Sequence, residues 1–146
     1  MKRITYISIA IVVLASAVVV NSNAQTMGGH RVIANIPFAF TVGKANLPSG
    51  RYTITVLNSR SDRKILQLRS ADGRSNALVW TTSEFARISD DAKLVFDRYG
   101  DRYFFSHAQM AGDPTSLAAV KTKAEKAERR GVARTNKKTV VEITAE

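Results

Sequence analysis

From residue 31 to about residue 110 the chain alternates apolar and polar positions with a period of two. That is the spacing of strands with one buried face. Val32, Ala34 and Ile36 share one parity, and Phe38, Phe40 and Val42 continue it. Pro37 interrupts the run. It has no ladder N–H, so it marks an edge or a bulge. Gly43-Lys44-Ala45-Asn46 and Pro48-Ser49-Gly50 carry turn chemistry. Residues 51–57 form the next predicted strand, with Tyr52, Ile54 and Val56 on one face. Residues 64–70 follow, with Leu66 and Leu68 inward. Ala71-Asp72-Gly73-Arg74 predicts a hairpin turn, because Asp-Gly accommodates the positive φ angles such turns need. The returning strand, residues 76–82, carries Leu78 and Trp80, and Trp80 is expected to pack in the core. Residues 93–99 and 102–110 form a second hairpin around Gly100-Asp101, with Leu94 and Phe96 on one face. Phe104 and Phe105 are adjacent and so straddle both faces. One ring must meet something beyond the main core, either a C-terminal helix or a partner.

The period changes after Met110. Asp113-Pro114 reads as a helix start, with an N-cap and proline at the first helical position. Leu117, Val120, Ala124 and Ala127 then fall on one helical stripe, and Gly131 stands where a helix commonly ends. Glu125 and Arg129 form an (i, i+4) pair in the favourable order. Residues 139–144 alternate again, as a last strand or as a free tail. Six to eight short strands at intervals of about ten residues, followed by a helix, predict a mostly β fold. It is a small antiparallel β-sandwich or β-barrel with a C-terminal helix, and periodicity does not choose between the two closures.

The N-terminus has a different pattern. Met1-Lys2-Arg3 is a short cationic segment, residues 4–20 are uncharged and mostly apolar, and Ser22 and Ala24 are small. This is the form of an export signal cleaved after Ala24. An uncleaved anchor is the competing reading. The expected organisation is a signal peptide at 1–24, an antiparallel β-domain at 25–110 and a basic helix and tail at 111–146. The chain has no cysteine, so neither disulfides nor lipid attachment at a cleavage-site cysteine is available, and stability rests on an ordinary apolar core.

Charge sharpens this division. The formal net charge is +10. Residues 25–120 hold twelve basic and eight acidic side chains, whereas residues 121–138 hold eight basic and two acidic ones. Beyond the signal, every aromatic lies between Phe38 and Phe105. The core-forming part and the cationic part are thus different stretches of chain.

Candidate chemistry is sparse. His30 and His107 are the only histidines and have no zinc-ligand spacing. No metal or other cofactor pattern is present. Ser106 and His107 are neighbours on a predicted strand, so they point to opposite faces and cannot pair as nucleophile and base. There is no Gly-x-Ser-x-Gly elbow and no phosphate-binding glycine pattern. Asp97 and Asp101 could be drawn as a carboxylate pair, but Arg98 and Arg102 beside them favour local ion pairing. The reading is of a protein that is not an enzyme.

Two groups remain as candidate binding residues. Arg98, Tyr99, Arg102 and Tyr103 surround the second hairpin, and such residues can grip a carboxylate or stack on a sugar or base. The competing use is pairing of the arginines with Asp97 and Asp101 while the tyrosines cap the core. The second group is Lys121, Lys123, Lys126, Arg129 and Arg130 in the basic segment.

Several segments resemble a family of small exported bacterial proteins of unassigned function. They are Asn35-Ile36-Pro37-Phe38-Ala39-Phe40 with Val42-Gly43, and Leu47-Pro48-Ser49-Gly50-Arg51-Tyr52-Thr53. Leu68-Arg69-Ser70-Ala71-Asp72-Gly73-Arg74, Ala92-Lys93-Leu94-Val95-Phe96 and Arg98-Tyr99-Gly100-Asp101-Arg102-Tyr103-Phe104 complete the set. The resemblance spans about residues 30–110. It implies export and a β fold and transfers no functional residue.

The expectation is therefore a non-catalytic exported protein of the periplasm, cell envelope or exterior, with a binding or structural role. Its basic tail suits anionic lipid, lipopolysaccharide or acidic polysaccharide. Genomic nucleic acid is disfavoured by compartment, and membrane contact after signal removal would be peripheral. The alternative is a small β-barrel carrying an apolar ligand, against which a β-domain of this size leaves little spare interior.

Overall fold

The structure is a computed structural model. It describes residues 31–133 and 138–145, with side chains for residues 31–131 and 139–145. The segment read as an export signal, with Ser22 and Ala24, lies outside the described residues, as does His30.

The described chain is mostly β. Ten strands make one sheet, almost wholly antiparallel and not closed, with one short helix near the C-terminus. The strands are β1 (Arg31–Ile36), β2 (Phe40–Val42), β3 (Ala45–Leu47), β4 (Gly50–Val56) and β5 (Lys64–Ser70). Then come β6 (Asn76–Phe85), β7 (Ala92–Tyr99), β8 (Arg102–Gln109), β9 (Thr115–Ala119), helix α1 (Lys123–Ala133) and β10 (Lys138–Ala145). The main ladder runs β1-β4-β5-β6-β9-β8, and β7 joins β8 to β10. The small β2–β3 hairpin attaches to the start of β8, where Phe40 and Thr41 pair in parallel with Tyr103 and Phe104. The sheet curls far enough to bring β10 beside β1 without pairing them. An open groove of about 400 Å³ separates the two, lined by Ile33, Ala34, Asn35, Arg51 and Thr144.

The alternation read from the sequence fills the concave face. Val32, Ala34, Ile36, Phe40, Val42, Tyr52, Ile54, Val56, Leu66, Leu68, Leu94 and Phe96 are all buried in one core. Phe96 sits edge-on to Phe38, Phe40 and Phe105 at centroid separations of 5.2, 5.3 and 5.7 Å. Such edge-to-face geometry suits the ring quadrupoles. Each fully buried Ile or Leu here contributes about 1.5–3 kcal/mol of transfer free energy. The Tyr52 hydroxyl stays satisfied inside by donating to the Pro48 carbonyl at 2.7 Å. Gly43 and Gly100, with φ of 58° and 61°, make the tight turns of the β2–β3 and β7–β8 hairpins.

Four expectations are corrected. First, residues 115–119 are not helical. They form β9, a central strand hydrogen-bonded to β6 on one side and β8 on the other. Asp113 does cap something, but it is a turn: its Oδ1 accepts the Thr115 N–H at 2.8 Å. The helix starts later, where Thr122 Oγ1 accepts the Glu125 N–H at 3.2 Å. Thr122-x-x-Glu125 is a capping-box spacing. Second, Gly131 lies inside α1 rather than after it. Third, Ala124 and Ala127 are exposed, so no alanine stripe docks the helix. Fourth, the strands number ten, because β2, β3 and β9 are short and β10 pairs with all of β7. The sheet thus draws in residues 115–119 and 138–145 together with the strands of the first eighty residues described.

Candidate functional site

The hairpin candidates are engaged by the fold itself. Tyr99 is buried. Tyr103 lies stacked on Phe38, with ring centroids 3.9 Å apart and planes 13° from parallel. Arg98 crosses the Tyr103 ring at 5.3 Å, donates to the Gly100 carbonyl at 2.8 Å and pairs with Asp101 at 3.6 Å. Arg102 crosses the Phe104 ring at 5.2 Å and pairs with Glu128 on α1. Arg98 pairs with Asp101 as the local reading requires, while Asp97 takes a different partner.

That partner is Lys121. Asp97 points to the convex face of β7, where it is 2 % exposed. Lys121 Nζ reaches its Oδ2 at 2.7 Å and Glu125 Oε1 at 3.3 Å, and the Tyr99 hydroxyl donates to Asp97 Oδ2 at 3.3 Å. Glu125 is buried as well. Burial pulls the Lys121 pKa down, but the Asp97 hydrogen bond and the charges of Asp97 and Glu125 outweigh it, and the net shift is upward. The Tyr99 pKa is raised, first by burial and then by the Asp97 charge. Phe104 belongs to this second cluster, 5.7 Å from Tyr99 and outside the main core. The straddling phenylalanine therefore meets the side of the sheet that α1 covers.

Among the described residues, helix α1 is thus fastened by carboxylates and not by the Ala124 and Ala127 stripe. Glu125 and Glu128, three residues apart, face Lys121 and Arg102. Turning the acids inward leaves Lys123, Lys126, Arg129 and Arg130 exposed. Among the described residues, none of these four is joined to a carboxylate. Of the five basic-segment candidates, the structure gathers these four on α1 and assigns Lys121 to the buried ion cluster.

One surface was not anticipated. On β6 the buried parity is Ala77, Val79 and Thr81, while Leu78 and Trp80 are 58 % and 57 % exposed. Trp80 is therefore not a core residue, which corrects the sequence expectation. Val120, 54 % exposed, lies close by, since its N–H donates to the Trp80 carbonyl at 2.9 Å. These three line an open groove of about 720 Å³ together with Lys44, Arg63, Thr82 and Thr122. The signal for the correct parity was size: Leu66 and Leu68 stand opposite Val79 and Ala77 in the β5–β6 register. Large residues on one strand leave room for small ones across from them.

Ser106 is buried and His107 half-buried on alternate faces of β8, with His107 Nε2 3.5 Å from Glu84. Among the described residues, no three His, Asp or Glu side chains gather in a group that could hold a metal ion. No described helix is long and apolar enough to cross a membrane. Comparison with known proteins finds no match to this chain among family models, curated proteins or solved structures.

Proposed function

We propose that this protein is a non-catalytic exported module of the cell envelope that binds anionic envelope polymers or lipids through the outward face of α1. The observation that supports this reading is the sorting of charge on that helix. Its two described carboxylates turn toward the sheet, and Lys123, Lys126, Arg129 and Arg130 turn to solvent within eight residues. A surface of one sign raises the local concentration of anions and steers them electrostatically. The Arg98–Tyr103 hairpin is the weaker candidate, because its guanidiniums and rings are already occupied within the fold. An apolar ligand carried inside the sheet is weaker still, because Tyr52, Phe96, Ile36 and their neighbours fill the interior.

The test is retention of the purified protein on anionic vesicles and on acidic polysaccharide, at low and physiological salt. Changing Lys123, Lys126, Arg129 and Arg130 together to Gln should reduce binding at least tenfold. Raising the salt should have a similar effect on the unmodified protein, since exposed charges are screened beyond about 8–10 Å at physiological ionic strength. Binding that survives both changes refutes the reading.

A further inference from the structure

We infer that the groove over Trp80 is a second binding site, separate from α1, and that it takes an acidic sugar chain of the uronate type. Its existence follows from the sheet topology. β9 pairs with β6 only from Thr81 to Phe85, and the β2–β3 hairpin approaches the first half of β6 without pairing with it. The ladder is therefore interrupted beside Leu78 and Trp80. The turn at Gly43 comes close, so that a Cβ there would lie 3.8 Å from the Leu78 carbonyl. Lys44 stands on that turn and Arg63 on the approach to β5, on opposite flanks of β6.

The lining has three kinds of group. Trp80, Leu78 and Val120 give an apolar floor, Thr82 and Thr122 give hydroxyls, and Lys44 and Arg63 give positive charge. Among the described residues, no carboxylate lines the groove. A uronate chain has the complementary set. Each ring has a C–H face that lies flat on an indole, an edge of hydroxyls, and a carboxylate for a lysine or arginine. Two cations on opposite flanks suit repeated anionic groups along a chain better than one head group. An acyl chain fits poorly, because a groove that leaves all three floor residues more than half exposed would keep most methylenes in water.

Trp80 is the only tryptophan, so its fluorescence reports on this groove alone. The purified protein would be titrated with oligogalacturonate, with a neutral oligosaccharide of equal length and with phosphatidylglycerol vesicles. The expected result is a saturable change in Trp80 emission with oligogalacturonate only. The double variant Lys44→Gln/Arg63→Gln should weaken it at least tenfold, and Trp80→Ala should weaken calorimetric binding by a similar factor. All the substituted side chains are at the surface, so unchanged thermal unfolding would confirm intact folds. The variant with α1 neutralised should keep the Trp80 response, which separates this inference from the α1 reading. An unchanged emission with oligogalacturonate, or a response indifferent to Lys44 and Arg63, overturns the inference. So does a response to vesicles alone, which would make the groove a membrane contact.

Discussion

Replacing Lys121 with Met tests what fastens the helix to the sheet. At 2.7 Å from Asp97 and an effective dielectric of about 20, Coulomb attraction is about 6 kcal/mol, and about 5 kcal/mol to Glu125 at 3.3 Å. Desolvation of the three groups offsets most of that. Removing one partner of a fully buried pair costs about 3–5 kcal/mol, because a charge is left inside without its counterion. Lys121 keeps 27 % of its side chain in water, and solvent can partly replace it, so the discounted expectation is about 2–3 kcal/mol. For a domain of this size that lowers Tm by about 10 °C, read by circular dichroism at pH 7. Combining Lys121→Met with Asp97→Asn should recover part of the loss, with a coupling of about 1–3 kcal/mol in the double-mutant cycle. A Tm shift below about 2 °C in the single variant, or strict additivity in the cycle, would refute the claim that this cluster secures the fold.

Alkaline pH should act on the same cluster. Lys121 and Tyr99 both have folded-state pKa values above their ordinary 10.5 and 10.0, so the stability they contribute is complete below about pH 10. It is lost as pH rises through the folded values, and urea midpoints from pH 8 to 11 should fall only above pH 10, and less steeply in Lys121→Met. Thr122→Ala removes the α1 cap and should cost about 1 kcal/mol, with the loss of helical signal at 222 nm preceding global unfolding. Phe96→Ala should cost about 3–5 kcal/mol, whereas Trp80→Ala should stay within about 0.5 kcal/mol. Comparable losses at the two positions, by chemical denaturation, would contradict the assigned parity of β6.

Most of the sheet was legible because its strands bury one face. Tyr52 to Val56 and Leu66 to Leu68 show an uninterrupted alternation, and Val32 to Ile36 departs from it only at Ile33, so their register leaves little choice of inner parity. β9 was not legible for the opposite reason. Leu117 and Ala118 are adjacent and both buried, so a central strand covered on both sides loses its period of two and borrows that of a helix. Trp80 was misplaced because both parities of β6 are largely apolar, and the deciding information lies across the ladder in Leu66 and Leu68. The α1 candidates were legible as charge but not as geometry. Which of Lys121, Lys123 and Lys126 faces inward depends on Asp97, a residue whose burial no local pattern announces.

The position of β9 also governs the order in which this sheet can be completed. β1, β4, β5 and β6 can join as they are made, and β7 can join β8, but the two halves share no continuous ladder until residues 115–119 enter between β6 and β8. β10 then pairs with β7 from a still later stretch of chain. Pairings of such long sequence separation are slow to form, because loop closure is incurred before contacts repay it. A nascent chain therefore remains two incomplete half-sheets with unsatisfied facing edges until residue 119 has emerged. The delay before the two half-sheets can join is thus set by the order of the strands along the chain.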